Sequence, residues 1–265
     1  MADEVSIIEL AAWLQTPPGR YLLAWEQAQM DAAVVDLFGF HALQLGLPEL
    51  PGLRCNRMPH RWLALPEGKV GKLGKAGDGQ AADLALHCEF DRLPFESGSL
   101  DLVILPHALE LARDPHQTLR EVERVLRPEG RLVILGLNPA SLWGLRQNLG
   151  RMLPGRPRPY LPQDGDFLGY WRLRDWLRLL SFEVEAAQFG CYAPPLSSAA
   201  WLARWAWLEP VGSQWWPVLG AVYFIKAVKR VHGMRLLGLE RGRSARRSGA
   251  PAVAVQQLSN KEQGP

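Results

Sequence analysis

Apolar strand-like segments and helix-like segments alternate along the middle of this 265-residue chain. Two continuous apolar runs, residues 100–105 and 131–136, have the length of buried strands and are bounded by turn residues. Between them Asp114 is the predicted N-cap of a helix, and Asn138 is the predicted N-cap of another helix after the second run. This alternation predicts βαβ units and a parallel sheet covered by helices.

The same alternation extends toward both ends of the chain. Further strands are predicted at residues 41–45, 83–88, 182–187 and 221–228. Before them, Thr16 is the predicted N-cap of a helix that extends to about Leu37. The side chains predicted to share the buried face of this helix are Tyr21, Trp25, Ala28, Ala32 and Val35.

Composition is typical of a globular protein. Hydrophobic residues make up 48% of the sequence and charged residues 22%, and the net charge is only +3. These values exclude a wholly disordered chain, a collagen-like repeat and a small disulfide-rich scaffold. We expect a folded domain over residues 1–232, which includes the N-terminal helix, and a basic, disordered tail over residues 233–265.

Positive charge is concentrated near the C-terminus. The segment from Lys226 to Arg247 contains eight lysine and arginine residues and one acid, Glu240. Such a segment is usually solvated and mobile. The more specific alternative is that it makes weak contact with a membrane surface or with nucleic acid. No obligate partner is inferred.

The three cysteines, Cys55, Cys88 and Cys191, are far apart in the sequence. Because they form no C-x-x-C pair, neither a disulfide framework nor a metal site is expected. The N-terminus carries acids where a secretory signal needs positive charge. The longest apolar run, Trp215 to Ile225, has 11 residues, against the roughly 20 of a membrane span. We therefore expect a cytoplasmic protein.

The stretch of residues 84–138 contains a more specific pattern. Glu89 precedes L-P-F at residues 93–95, D-L-V follows at residues 101–103, and R-V-L-R-P-E-G at residues 124–130 leads into an apolar strand. This order and spacing resemble the type-11 group of class I methyltransferases that use S-adenosylmethionine (SAM). The resemblance implies an α/β fold, with a doubly wound, mostly parallel seven-stranded sheet, helices on both faces and an antiparallel last strand.

The resemblance also implies which residues contact SAM, all near the carboxyl ends of strands. Gly46 matches the first glycine after the first strand. Glu67 follows 21 residues later and would hold the ribose hydroxyls. A separation of about 20 residues is usual between the turn and the acid of the related dinucleotide fingerprint.

The remaining implied contacts follow the next two strands. Glu89 matches the acid that faces the adenine amino group, and Phe90 matches the residue whose backbone lies against the adenine ring. Leu105 and Pro106 match the positions after the fourth strand, beside the methionine part of SAM.

His107 is the candidate catalytic residue. It follows a buried strand at the end where ligands bind, and imidazole titrates near neutral pH, so it could act as general base toward a hydroxyl acceptor. The alternative is a packed or hydrogen-bonded histidine at the start of a helix. Asp101, at the start of a strand, is expected to be structural.

The chain departs from the resembled family at the turn after the first strand. The family pattern D-x-G-x-G-x-G is replaced here by Q-L-G-L-P-E-L at residues 44–50, which keeps only the first glycine. Pro48 has no N–H to offer an anionic ligand, and Leu50 adds bulk. Binding of SAM is therefore expected to be weak to moderate.

Two hypotheses for the function follow. The first is an enzyme that transfers the methyl group of SAM to a small, apolar acceptor by in-line displacement. The second is a catalytically degenerate methyltransferase-fold binding module that uses its aromatic face or its basic tail. The aromatic face is the tryptophan-rich segment 201–216, for which a place in the hydrophobic core is the alternative prediction.

Overall fold

Seven strands of the computed structural model form a mixed sheet in the order β3-β2-β1-β4-β5-β7-β6. The structure describes residues 10–66, 84–152, 160–161 and 167–230. The strands are β1 (His41–Leu45), β2 (His60–Leu65), β3 (Leu84–His87), β4 (Leu100–Pro106), β5 (Leu126–Leu137), β6 (Phe182–Gly190) and β7 (Val222–Lys229).

Pairing within the sheet confirms the predicted fold class. The pairs β1–β2, β1–β4, β2–β3 and β4–β5 are parallel. The last strand, β7, is antiparallel to both β5 and β6. All strands except β7 therefore end at the same edge of the sheet, which we call the carboxyl edge.

Helices connect the strands as the alternation predicts. They are α1 (Pro17–Val34), α2 (Ala108–Leu111), α3 (Pro115–Val125), α4 (Leu142–Met152), α5 (Tyr170–Leu179), α6 (Ala199–Arg204) and α7 (Leu208–Trp215), followed by a short 3-10 helix (Pro217–Leu219). The predicted N-cap of α3 is confirmed, because the Asp114 side chain accepts hydrogen bonds from the amides of His116 and Gln117, both at 3.0 Å. Thr16 likewise caps α1.

The central strands are buried on both faces. In β4, Val103 and Leu105 belong to one hydrophobic cluster, whereas Leu102 and Ile104 belong to another on the opposite face. Successive side chains of a strand point to opposite faces, so a parallel strand covered on both sides reads as a continuous apolar run. This explains the apolar run that predicted β4.

The predicted buried face of α1 is confirmed in part, because Tyr21 and Trp25 are partly buried against the hydrophobic core. The residues of α1 that are buried are Pro18, Gly19, Leu22, Glu26, Met30 and Val34. Ala28 and Ala32, which were predicted to be buried, are exposed. The most buried face is therefore rotated by about one residue from the predicted one. It includes Glu26, and the apolar pattern alone cannot place a glutamate in the core.

The tryptophan-rich segment is not part of the core. It forms α6 and α7 rather than one helix, and Trp201, Trp207, Trp215 and Trp216 are 51–71% exposed. The prediction that this segment packs into the core is therefore wrong for these four side chains. No helix within the described residues is long and apolar enough to cross a membrane. The predicted basic tail lies outside the described residues, and the domain boundary at residue 232 stays a prediction.

Asp101, at the start of β4, has the structural role predicted for it. Its carboxylate accepts hydrogen bonds from the amides of Phe40 and His41, at 2.7 and 2.9 Å, and pairs with Arg127. The side chain thereby joins the start of β1 to the start of β4 and to the start of β5.

We expect Asp101→Ala to lower the free energy of unfolding by about 2–4 kcal/mol, because it leaves the two amides and Arg127 without their partner. Asp101→Asn keeps one acceptor oxygen and should lose about half as much. Urea titration of the three proteins measures both values. Equal stability of the alanine variant and the unmodified protein would contradict this role.

Candidate active site at the carboxyl edge

The first strand ends in a tight turn at Gly46. The Gly46 amide donates to the Ala64 carbonyl at 2.8 Å, which continues the β1–β2 ladder by one residue. Gly46 and Leu47 then take positive φ angles of 74° and 42°. The first of these conformations suits glycine, so the residue that the family pattern keeps is the one that the turn requires.

The buried side chain of Gln44 holds the loop after this turn. Its amide nitrogen donates to the carbonyls of Gly46, Leu47 and Leu50 at 2.9–3.1 Å. Its amide oxygen accepts from the Gly52 amide at 3.1 Å. Gln44 occupies the acid position of the D-x-G-x-G-x-G pattern, and here it satisfies the backbone of the loop that follows it.

The bulky residues of the loop enter the core. Leu47 and Leu50 are each 1% exposed and pack in the same hydrophobic cluster as Leu22 and Met30 of α1. The expectation that Leu50 adds bulk to the ligand-binding turn is therefore wrong, since its side chain is a core residue. Pro48, by contrast, is exposed.

Two of the predicted SAM contacts lie together at this edge. A Cβ atom placed on Gly46 would lie 3.6 Å from the ring of Phe90, which is only 9% exposed. Glu89, the residue before it, is exposed after the end of β3. The roles of Gly46, Glu89 and Phe90 toward SAM stay predictions. Glu67 lies outside the described residues.

Leu105 and Pro106 are buried at the end of β4. The side chain of Leu105 belongs to the hydrophobic core, so only its backbone is placed to contact a ligand. The roles of these two residues toward SAM stay predictions.

His107 lies between two carboxylates. Its Nε2 atom is 2.7 Å from Oε1 of Glu26 on α1, and its Nδ1 atom is 2.9 Å from Oε2 of Glu110 on α2. The His107 side chain is 1% exposed, and its backbone has a φ of 54°. The other oxygen of Glu110 accepts a hydrogen bond from the Leu137 amide at the end of β5.

The electrostatics of this cluster keep His107 protonated. Burial by itself lowers the pKa of the imidazole, but the charges of Glu26 and Glu110 outweigh burial and hold the pKa well above its ordinary value. Both ring nitrogens then donate, and neither has a free lone pair. Burial raises the pKa of Glu26. The predicted role of His107 as general base stays a prediction, and the geometry gives it a structural one.

Sequence analysis missed Glu26 and Glu110. Glu110 follows His107 by three residues, a spacing that places two helical side chains on one face, so this pair carried a local signal. Glu26 carried none, because it lies 81 residues away in the sequence. Within the described residues, no three His, Cys, Asp or Glu side chains are grouped in a way that could hold a metal ion.

A cavity of about 450 Å³ lies farther along the same edge. Its walls come from α1, the end of β6, α7 and the 3-10 helix, and they are formed by Trp25, Gln29, Ala187, Gln188, Phe189, Tyr192, Glu209, Pro210, Ser213 and Pro217. The register places it at the carboxyl edge, because Gly190 pairs with Val222, which pairs with Leu137 of β5. Gly46, Glu89, Phe90, Leu105 and Pro106, the predicted SAM contacts within the described residues, do not line it.

Cys191 is a buried thiol that follows the end of β6. Burial raises the pKa of its thiol, and the charges of Glu209 and Glu26 raise it further. The thiol is therefore neutral near pH 7. Cys55, Cys88 and Cys191 form no disulfide.

The charged His107 cluster makes the stability of the folded protein decrease as the pH becomes alkaline. A histidine whose pKa is raised on folding stabilises the protein below its unfolded pKa of about 6.5, and this contribution is lost as pH rises through the folded value. We expect the melting temperature to fall above neutral pH and to fall less in His107→Gln. Buried Cys191 and Tyr223 act in both proteins, so the difference between the two curves reports His107 together with Glu26, whose pKa the charged imidazole lowers.

Glu26→Gln is the matched control, since it leaves His107 with one carboxylate in place of two. The alkaline fall should then begin at a lower pH than in the unmodified protein. Parallel melting curves for the unmodified protein and His107→Gln would show that His107 is not charged in the folded state.

Comparisons with known proteins agree with this arrangement. A family model described as a methyltransferase domain, of type 11, matches residues 72–134. The chain is 31% identical over 185 residues to the uncharacterized protein YafS of Escherichia coli (strain K12), which covers 69% of this chain and 70% of that protein. It is 39% identical over 124 residues to a malonyl-(acyl-carrier protein) O-methyltransferase of Laribacter hongkongensis, which covers 44% of this chain and 40% of that protein.

A solved structure shows the same fold. It is a chain of the complex between the Haloferax volcanii Trm112 methyltransferase activator and a methyltransferase, with a TM-score of 0.60 and 17% sequence identity. The match covers 86% of this chain and 98% of that one. Family model, relative and fold lead to one assignment: the chain belongs to the type-11 group of class I SAM-dependent methyltransferases.

Proposed function

We propose that this protein transfers the methyl group of SAM to a small acceptor with an apolar body. The observation that carries the proposal is that one edge of the sheet holds both the Gly46 turn with Glu89 and Phe90 and, farther along, a cavity with aromatic walls. Cofactor and acceptor sites of open α/β sheets lie together outside the carboxyl ends of the strands. A cavity of about 450 Å³ suits a small molecule.

In this proposal Glu89 accepts a hydrogen bond from the adenine amino group, the backbone of Phe90 lies against the adenine ring, and Glu67 holds the ribose. The backbone at Leu105 and Pro106 borders the methionine part. SAM, when bound, supplies an electrophilic methyl group on sulfur. The chain then has to orient the acceptor in line with that methyl group and to exclude water.

The cluster of Glu26, His107 and Glu110 would contribute to orientation and to water exclusion. It fixes α1 over the carboxyl edge through the 2.7 Å contact between Glu26 and His107. A free base is not required where the acceptor already carries a lone pair. We place the protein in the cytoplasm, because its three cysteines form no disulfide, as is usual in a reducing compartment.

Glu89→Ala should weaken SAM binding by about 0.5–1.5 kcal/mol, the net value of one hydrogen bond. Isothermal titration with SAM and with S-adenosylhomocysteine measures the change. Glu96→Ala is the matched control, since Glu96 is also an exposed loop acid a few residues later, and it should bind as the unmodified protein does. If the unmodified protein binds no SAM at millimolar concentration, the enzyme proposal fails and the binding-module hypothesis replaces it.

Pro48→Ala tests the missing amide of the turn. Pro48 is exposed, so restoring an N–H at this position should leave the core intact. A new charge-assisted hydrogen bond to the SAM carboxylate would tighten binding by about ten- to a hundredfold, from the roughly 1.5–3 kcal/mol of such bonds.

The control for Pro48→Ala is methylthioadenosine, which has no carboxylate and should bind equally to both proteins. An equal gain for methylthioadenosine and for S-adenosylhomocysteine would mean that the new amide does not contact the carboxylate.

A further inference from the structure

The cavity at the end of β6 combines aromatic rings with one carboxylate. Trp25, Phe189 and Tyr192 supply the rings, and Glu209 is the only residue with a formal charge among those that line it within the described part of the chain. The other lining residues are neutral amides, a serine, an alanine and prolines. A wall of this kind has one sign of charge and several π-faces.

The negative charge of Glu209 is not neutralised by its neighbours. Its Oε1 atom accepts hydrogen bonds from the Tyr21 hydroxyl and from the Tyr192 amide, the latter at 3.0 Å. Both donors are neutral groups. None of the ion pairs between described residues includes Glu209. The carboxylate therefore has no counterion among the described residues.

The rings of the cavity are held in place before any ligand binds. A Cβ atom on Gly190 would lie 2.0 Å from the Trp25 ring, so only glycine allows the indole to lie against the end of β6. The Tyr192 hydroxyl donates to the Pro217 carbonyl at 2.8 Å, and its ring packs on Gly212. Preorganised rings lower the entropy cost of binding.

We propose that this cavity binds an organic cation, that is, an amine or a quaternary ammonium compound with an apolar body. Aromatic faces attract cations through their quadrupoles, and the carboxylate adds a longer-range attraction. A neutral compound of the same shape would make the same ring contacts but would leave the Glu209 charge without a counterion. The preference for a cation does not depend on the proposed function, because a quaternary ammonium has no lone pair that could accept a methyl group and a protonated amine would first have to lose a proton.

The test measures binding to the full chain without SAM, by isothermal titration near pH 7. The probes are two matched pairs, choline with its neutral carbon analogue dimethylbutanol, and phenethylamine with phenethyl alcohol. We expect at least one of the two cations to bind about tenfold more tightly than its neutral partner, as cation–π and charge contributions of this size predict. If neither cation binds more tightly than its neutral partner, the proposal is overturned.

Glu209→Gln removes the charge and keeps an oxygen that can accept both hydrogen bonds. It should abolish the preference for the cation and leave the affinity for the neutral compound unchanged. Glu96→Gln removes the same charge from a distant exposed loop and should change nothing. If Glu209→Gln does not fold, Trp25→Leu provides the second test, because it should weaken the binding of the cation more than the binding of the alcohol. A preference for the cation that survives in both folded variants would overturn the assignment to this cavity.

SAM binding is measured separately, so the two proposals fail separately. Binding of the cation without any binding of SAM would support the cavity assignment and overturn the methyl-transfer proposal. Binding of SAM without any preference for a cation would support the methyl-transfer proposal and overturn the cavity assignment.

Discussion

The rest of the carboxyl edge depends on the buried cluster of Glu26, His107 and Glu110. It joins α1 to the end of β4 and, through the Leu137 amide, to the end of β5. All three side chains are out of contact with water, so each carries a desolvation penalty that only its partners offset. Removing one partner would leave an uncompensated buried charge, which costs about 3–5 kcal/mol. The cluster also holds the backbone of His107 in its left-handed conformation.

Stability alone does not explain such a cluster, because apolar residues of similar volume often stabilise a core equally well. The geometry of the cluster offers an explanation. Glu26 can contact His107 at only one rotation of α1 about its axis and one position of α1 along that axis. A shift of one helical turn, about 5.4 Å, would separate the two side chains. Trp25 immediately precedes Glu26 on the same helix and forms a wall of the cavity. The ion cluster therefore fixes the position of an aromatic wall by fixing the helix that carries it.

The sequence was sufficient for the parts of the structure that depend on local patterns. Continuous apolar runs predicted β4 and β5, and the Asp114 cap predicted the start of α3, because these signals act over a few residues. The buried face of α1 was predicted only in part, since Glu26 is buried only through a partner far away in the sequence. The cavity could not be predicted either, because its walls come from α1, β6 and α7, which meet only in the folded chain.

The turn after β1 shows why departures from a family pattern have to be interpreted together. Taken one at a time, Gln44, Pro48 and Leu50 suggest a damaged glycine loop. In the structure Gln44 satisfies three carbonyls and one amide of the loop, and Leu50 fills the core beneath it. Placing the family residue at position 44 would set a carboxylate against three carbonyl oxygens, and glycine at position 50 would empty a buried site at a cost of about 2–5 kcal/mol. The substitutions are coupled through shared contacts, so reversing one of them does not restore the glycine loop. Pro48 is the exception because it is exposed, and the missing amide of the turn can be separated from the packing that replaced the glycines.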